Sequence, residues 1–207
     1  MNSITLPPQF DPARLRVTAR VREAILRYGY EALSMSVLAQ ACGLTRRGLY
    51  HHFSNKEDAV RAALWLENIE RMAEATRTAR AVLESGGGAL DVVAALLDVR
   101  FGVTRRRLAQ SPHAKEINDV AFLIAQDMMM SVAVRINAIL ADFLKELVAR
   151  GRLRINETVA LDHLASLLSD GARGVNQARP PIPSEKLAQR YRDMSAAILF
   201  GCATIPE

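Results

Sequence analysis

The stretch SMSVLAQACGLTRRGLYHHFSNKED, residues 34–58, contains three polar residues that each precede a new apolar pattern. These residues, Ser34, Thr45 and Asn55, have side chains that accept a hydrogen bond from the backbone at a helix N-terminus. Gly43 lies between the first two, and glycine readily takes the left-handed conformation that ends a helix. The stretch therefore predicts two short helices joined by a tight turn and followed by a longer helix.

The spacing of the two short helices matches a helix-turn-helix, in which the second helix enters the major groove of DNA. Ala39 is small where the helices must cross closely, Gly43 permits the turn, and Leu44 fills the core beneath it. The second helix begins with unpaired backbone amides and the positive end of the helix dipole. Both features suit contact with a phosphate.

The polar side chains of the second helix also fit contact with DNA. Arg46 and Arg47 occupy its first positions, from which guanidinium groups can reach guanine edges or phosphates. Tyr50 and His51 follow one turn later, where a hydroxyl and an imidazole can hydrogen-bond the DNA backbone.

The rest of the chain also shows helical periodicity, with Pro and Gly confined to boundaries. A first helix is predicted over 14–28, and its apolar stripe consists of Val17, Val21, Ala24, Ile25 and Tyr28. Later helices are predicted over about 56–83, 90–110, a short segment from 114, a long segment to 150, 156–177 and 184–201. We therefore predict an all-α fold with a helix-turn-helix head, residues 1–55 and ordered from about 13, and an all-helical body, residues 56–207.

Composition and charge bound the class of protein. The 207 residues, half of them apolar, can bury an ordinary core as one domain or two smaller ones. Residues 14–56 hold eight basic and two acidic residues, and the remainder holds 19 basic and 20 acidic residues. A polyanion-binding head on a neutral body would show this distribution. The alternative is a chance asymmetry on a solvated surface.

The lack of a recognisable export signal and the two widely spaced cysteines indicate the compartment in which the protein lies. The first residues, MNSITLPPQFDP, lack the basic start and apolar run of an export signal. No uncharged apolar run approaches the ~20 residues that span a bilayer. Cys42 and Cys202 are far apart and form no ligand-spaced pair. We expect a cytoplasmic protein with reduced thiols and no membrane association.

Several separate elements together resemble the N-terminal domain of TetR-type transcriptional regulators. The elements, which span about Val17 to Val60, are Gly29-Tyr30-Glu31-Ala32, Ser34 with Leu38-Ala39, Ala41-Cys42-Gly43-Leu44-Thr45, Leu49-Tyr50-His51-His52-Phe53 and Asn55-Lys56-Glu57. The helical remainder is consistent with the family's variable ligand-binding and dimerisation domain.

The resemblance implies roles for individual positions. Residues that would face DNA are Thr45, Arg46, Arg47, Tyr50 and His51. Ser34 and Ser36 would approach phosphates, and Lys56 would contact the DNA backbone. Tyr30, Leu49 and Phe53 would be core, and the role of His52 stays open.

Two positions depart from the family's pattern. Arg47-Gly48 stands where a small residue followed by Thr or Ser is common, so the reading helix gains a charge and a helix-weakening glycine. Val37 stands where an acid often completes a capping box with Ser34. Gly48 either allows close approach to a phosphate, which we favour, or is a packing accident.

Catalytic and metal sites find little support in the sequence. His51 and His52 are adjacent and point in different directions on a helix, and no further ligand stands three or four residues away. His113 and His163 lack a glutamate three residues before them, which a di-iron bundle requires. The glycines 86–88 lack the Lys-Ser/Thr of a phosphate loop, and Ser111 has no base-and-acid partner at informative spacing. We expect no cofactor, no metal and no enzymatic activity.

The body offers a candidate ligand site. Met128-Met129-Met130, Phe122 and Trp65 are either plain core or, given the resemblance, part of a cavity, since Met adapts to irregular apolar guests. The candidate lining residues are Trp65, Asn68, Met72, Phe101, Arg105, His113, Phe122 and Met129.

The last two helices, about 157–177 and 184–201, are rich in small residues that let backbones approach. By resemblance they would form a dimer interface, and the alternative is that they finish the monomer core. We predict a homodimeric repressor that leaves a palindromic double-stranded DNA operator when a small apolar or amphipathic effector binds. The rivals are an architectural DNA-binding protein without a ligand and a helical-bundle enzyme.

Overall fold

The computed structural model describes residues 11–156 and 159–204, with side chains described as far as residue 201. Most of this part of the chain is helical, as predicted. The helices are α1 Pro12–Tyr28, α2 Met35–Ala41, α3 Arg46–Tyr50, α4 Lys56–Glu84, α5 Ala89–Leu97, α6 Val103–Leu108, α7 Ala114–Ile124, α8 Gln126–Ala149, α9 Leu161–Asn176 and α10 Leu187–Cys202. A π-helical segment, Asp98–Gly102, joins α5 to α6, and a 3-10 turn, Ser184–Lys186, precedes α10. Two short strands, β1 Arg154–Ile155 and β2 Ala203–Thr204, pair antiparallel.

The three predicted helix caps are confirmed. Ser34 Oγ accepts a hydrogen bond from Val37 N at 3.2 Å, and Thr45 Oγ1 accepts one from Gly48 N at 3.0 Å. Asn55 Oδ1 accepts from Asp58 N at 2.8 Å. These local bonds fix where α2, α3 and α4 begin, because each satisfies a backbone amide that the helix cannot pair internally.

Three predicted boundaries change. Helix α1 starts at Pro12, because Asp11 caps it by accepting from Arg14 N at 2.8 Å. Helix α3, which the sequence pattern predicts to run from the Thr45 cap to about Phe53, ends at Tyr50. The helix predicted from residue 156 starts at Leu161, and residues 157 and 158 lie outside the described part of the chain, as do the first ten residues.

The described chain divides into two compact units. The head unit contains the residues up to Glu70 together with Arg107–Met130, and the body unit contains Arg71–Arg106 and the residues from Ser131 onwards. The division at residue 55 remains a prediction about function, whereas these units follow the packing.

The head unit has its own apolar core. It is formed by α1, α2, α3, the first half of α4 and Ile117 of α7. Leu49 and Phe53 are buried as expected, and Tyr30 packs partly buried against them. Tyr28, which the apolar stripe of α1 places inside, is 36% exposed, because it is the last residue of the helix and Gly29 turns the chain there.

The body unit is built on α5 and the last two helices, with the second halves of α4 and α8. The π-helical segment is held by Asp98, which accepts two hydrogen bonds from Arg106 at 2.7 and 3.0 Å. Next to it, the hydroxyl of fully buried Tyr191 donates to Asn176 Oδ1 at 2.5 Å, and burial raises the pKa of this phenol. The single helix predicted over 90–110 is thus observed as three consecutive helical segments: α5, the wider π-helical segment and α6.

No single helix in the described ranges is long and apolar enough to cross a membrane. The pair α7 and α8 satisfies the length and composition requirement only jointly, and the two helices meet at a bend of 91°.

Candidate nucleic-acid interface

The turn between α2 and α3 is a complete Schellman motif. Gly43 has a φ of 65°, Leu44 N donates to Ala39 O at 2.9 Å, and Gly43 N donates to Gln40 O at 3.0 Å. These two bonds satisfy carbonyls that the end of α2 leaves unpaired. Because Thr45 caps α3 immediately afterwards, the angle between the two helices is fixed by contacts within a few residues.

Helix α3 has one buried and one exposed side. Leu49 is fully buried in the head core, whereas Arg46, Arg47, Tyr50 and His51 are exposed. The whole stretch from residue 34 to 53 contains no Asp or Glu. The exposed side of α3 is therefore positively charged, and no acidic residue from α2, the turn or α3 offsets this charge. Contact with phosphates requires such a surface.

Arg46 is aligned by its neighbour one turn later. Its Cζ lies 5.7 Å from the centre of the Tyr50 ring, and its Nη2 lies 3.5 Å from the Tyr50 hydroxyl. Residues four apart share a helix face, so the aromatic ring supports the guanidinium before any partner binds.

The serine, threonine and glycine residues that are predicted to contact DNA lie in or near the helix caps. Ser34 and Thr45 use hydroxyl lone pairs to accept from backbone amides, so each O–H remains available to donate. Ser36 is exposed on α2. Gly48 is half-buried, and a Cβ built there would lie 3.2 Å from Thr45 Oγ1, so glycine gives this cap its space.

Lys56 has a structural contact in addition to its predicted role. Its Nζ donates to Tyr30 O at 3.2 Å and lies 3.9 Å from the centre of the Tyr30 ring. The ammonium thereby ties the start of α4 to the turn after α1, and two of its three N–H donors are left for another acceptor.

The arginines of the head unit fall into two groups. One group is paired with carboxylates through Arg14–Asp58, Arg22–Glu67, Arg61–Asp127 and Arg107–Glu67. Within the described residues the other group has no carboxylate partner, and its members are Arg16, Arg20, Arg27, Arg46 and Arg47. All five are exposed, so the uncompensated positive charge of the head lies on its surface.

The eight predicted ligand residues are divided between the units. Trp65, Asn68, His113, Phe122 and Met129 lie in the head unit, and Met72, Phe101 and Arg105 lie in the body unit. Met72, Asn68 and Phe101 are buried, but Phe122 is 62% exposed. The side chain of Asn68 donates to Leu64 O, and that of Arg105 donates to Asn176 O. Their joint role as one site remains a prediction.

Among the eight predicted ligand residues, Trp65 has the atom that best indicates a bound ligand. Its indole Nε1 is buried and has no hydrogen-bond partner among the described residues. A buried N–H without an acceptor is costly, and a bound acceptor would relieve that cost.

No metal-binding group of three or more His, Cys, Asp or Glu side chains occurs in the part of the chain that the structure describes. Cys42 is a buried thiol in the head core, and burial raises its pKa.

A contact between distant parts of the head unit was not predicted from the sequence. Glu116 Oε1 of α7 accepts from Glu31 N at 2.5 Å, and its Oε2 lies 3.4 Å from His113 Nδ1. Ser111 Oγ donates to Leu26 O at 2.6 Å. The partners are separated by 85 residues, and no local pattern in the sequence signals such a pair.

The helix caps, the Schellman turn and the exposed face of α3 define a helix-turn-helix. The family model for bacterial regulatory proteins of the tetR family matches residues 19–63. The resemblance that the sequence motifs of this region indicated is therefore confirmed over residues 19–63.

Named relatives match the same region. The chain is 38% identical over 60 residues to the HTH-type transcriptional repressor Rv1474c of Mycobacterium tuberculosis, which covers 29% of this chain and 32% of that protein. It is 33% identical over 60 residues to the HTH-type transcriptional regulator UidR of Escherichia coli, covering 29% of this chain and 30% of that protein. The matched region thus spans about a third of the length of these relatives.

Solved structures extend the likeness of fold to 94% of the chain. A transcriptional regulator from Cytophaga hutchinsonii has a TM-score of 0.74 at 17% identity, covering 94% of this chain and all of that one. One from Rhodococcus sp. Rha1 has a TM-score of 0.67 at 19% identity, with 94% and 100% coverage. All four proteins are named as regulators of transcription and none as an enzyme.

Proposed function

We propose that this chain is a DNA-binding transcriptional regulator that acts as a homodimeric, ligand-responsive repressor. The observation that carries the proposal is the exposed, acid-free face of α3 next to a rigid helix-turn-helix turn. The relatives that match this region are named as a transcriptional repressor and a transcriptional regulator. Such a function places the chain in the cytoplasm, where the DNA of a bacterium lies.

Selection of duplexes from random DNA by the full chain tests the DNA-binding part. We expect a palindromic sequence whose half-sites lie about one helical turn, ~10 base pairs, or a multiple apart. Arg46→Ala and Arg47→Ala should weaken binding to the selected duplex more than binding to unrelated DNA, because base contacts carry the specificity. Unchanged affinity of both variants at fixed salt would contradict the assignment of α3.

Dimerisation through α9 and α10 is supported by what remains exposed on them. Leu164, Ala165 and Ser195 are buried within the single chain, so part of the small-residue pattern serves internal packing. Leu167 on α9 and Phe200 on α10 are 39% and 60% exposed. Large apolar side chains exposed on neighbouring helices are typical of a surface that another subunit covers.

The effector is proposed to be a small apolar or amphipathic molecule. The buried, unpaired Nε1 of Trp65 supports a ligand that carries a hydrogen-bond acceptor. A thermal-shift screen of apolar compounds tests the idea, since a ligand of the folded chain raises its melting temperature. A compound that raises it should also release the selected duplex. If no compound does either, the architectural DNA-binding protein becomes the better interpretation.

A further inference from the structure

Arg20 of α1 is an exposed arginine that makes a specific contact with the helix-turn-helix turn. Its Nη1 donates to the backbone carbonyl of Cys42 at 2.6 Å. Cys42 is the residue that ends α2, and its carbonyl belongs to the negative end of that helix. We propose that Arg20 is a further DNA-contacting residue, anchored on Cys42 so that its other N–H groups meet a phosphate beside α3. The proposal rests on the DNA-binding function proposed above.

The anchor places the guanidinium close to the start of the reading helix. A Cβ built on Gly43 would lie 3.6 Å from Arg20 Nη1, so this nitrogen sits over the turn residue that follows Cys42. Thr45, the cap of α3, comes two residues after Gly43.

The remaining donors of Arg20 are available. A guanidinium has five N–H groups, and the Cys42 carbonyl takes one of them. Among the described residues Arg20 has no carboxylate partner, whereas Arg22, two residues further along α1, pairs with Glu67 at 3.0 Å. Arg20 is exposed, so the rest of its guanidinium is accessible to a partner from solution.

The anchor also explains why the residue type matters. A planar guanidinium can donate to a carbonyl with one edge and to a phosphate with another. A lysine ammonium has a single nitrogen, so it would serve both acceptors from one point and with less defined geometry.

Salt-dependent binding to a duplex of about 30 base pairs, selected from random DNA by the full chain, tests the proposal. The variants are Arg20→Gln, which removes the charge, and Arg20→Lys, which keeps the charge but replaces the planar guanidinium with a single nitrogen. Arg27→Gln is the matched control, because Arg27 is an exposed arginine of the same helix and lies over the ring of Tyr28. Melting temperatures of all variants establish that they are folded.

We expect Arg20→Gln to weaken binding and to reduce the slope of log affinity against log salt by about 0.9 for each phosphate that Arg20 neutralises in the unmodified chain. Arg27→Gln should leave this slope unchanged, and Arg20→Lys should keep the slope but bind more weakly than the unmodified chain. If Arg20→Gln does not fold, Arg20→Lys decides, and full affinity of that variant overturns the proposal.

Two other outcomes also overturn it. A loss of affinity in Arg20→Gln without a change of slope would mean that Arg20 only positions the turn. The same slope in Arg20→Gln and Arg27→Gln would mean that only general charge matters. If the unmodified chain selects no duplex, the proposed function itself fails, and that result is distinct because it precedes every variant.

Discussion

Gly29 is a single residue on which several contacts of the head unit depend. It is buried at the end of α1 with a φ of 72°, in the region that favours glycine. A Cβ there would overlap Glu116 Oε2 and would lie 2.7 Å from His113 Nδ1. The same Glu116 carboxylate holds the amide of Glu31, so it cannot move away without breaking that hydrogen bond. Both the backbone conformation and the available space therefore require glycine.

Gly29→Ala should destabilise the head unit by more than the backbone conformation alone costs, which is about 1–3 kcal/mol for a residue at φ 72° and ψ 172°. The matched control is Gly151→Ala, since Gly151 has a φ of 70° and nothing lies within 4 Å of its built Cβ. Urea unfolding of both variants measures the difference. Equal loss of stability in the two would show that neither the contacts of Glu116 and His113 nor the ψ of 172° at Gly29 adds to the cost.

At the scale of elements, the second half of α4 and the end of α8 are joined by charges within the body unit. Glu146 accepts from Arg80 at 2.5 Å and from Arg150 at 2.6 Å, and Arg150 also reaches Glu84 at 2.8 Å. The hydrogen bond from Arg80 lowers the pKa of Glu146, and the bond from Arg150 lowers the pKa of Glu84. The two helices are thus linked by a network rather than by isolated surface pairs, which contribute little.

The lowered pKa of Glu146 sets the direction of its pH dependence. Because the folded pKa lies below the unfolded one, the pair stabilises the fold above the ordinary glutamate pKa of about 4.3, and this contribution is lost as the pH falls through the lowered value. We expect Glu146→Gln to melt at a lower temperature than the unmodified chain near neutral pH. The two melting temperatures should converge as the pH is lowered below the depressed pKa of Glu146.

Glu185→Gln is the control for this comparison, since Glu185 is an exposed glutamate of the 3-10 turn. Glu185→Gln should have the same melting temperature as the unmodified chain at each pH. A constant gap between Glu146→Gln and the unmodified chain at all pH values would assign the effect to packing instead of charge.

Local patterns predicted the elements better than they predicted the contacts between them. Ser34, Thr45 and Asn55 are predictable as caps because a cap bonds within three residues of itself. The buried Val21 and Ile25 follow from the helical periodicity of α1. Arg20 and Cys42 are 22 residues apart, and Glu31 and Glu116 are 85 apart, so only the packed chain reveals these pairs. The π-helical segment likewise depends on its neighbours, as Gly102 fits against Tyr191 of α10.

At the scale of the whole molecule, the exposed apolar side chains of α9 and α10 bear on assembly. Phe200→Glu should convert the proposed dimer to a monomer, because a carboxylate would be buried in the interface without a partner. Sedimentation velocity measures this. Phe122→Glu is the control, since Phe122 is similarly exposed, at 62%, but lies on α7. A dimer that persists in Phe200→Glu would contradict the proposed interface.

Binding should follow assembly in the same variants. A monomer engages one half-site at a time, so Phe200→Glu should lose most of its affinity for the full palindrome while retaining its affinity for an isolated half-site. A gel-shift titration with both duplexes compares the two.

The head unit has a consequence for how such proteins can be inherited and recombined. The head unit is formed by two separate stretches of the chain, because Arg107–Met130 belongs to the head while Arg71–Arg106 belongs to the body. A hybrid gene joined once after residue 70 would take Ile117 and the carboxylate of Glu116 from a foreign sequence, although both contact the head of this chain. Exchange within 71–106 or beyond 131 leaves every residue of the head in place. Replacement of those two stretches therefore preserves the packing of the head unit, whereas a single crossover at the end of the helix-turn-helix does not.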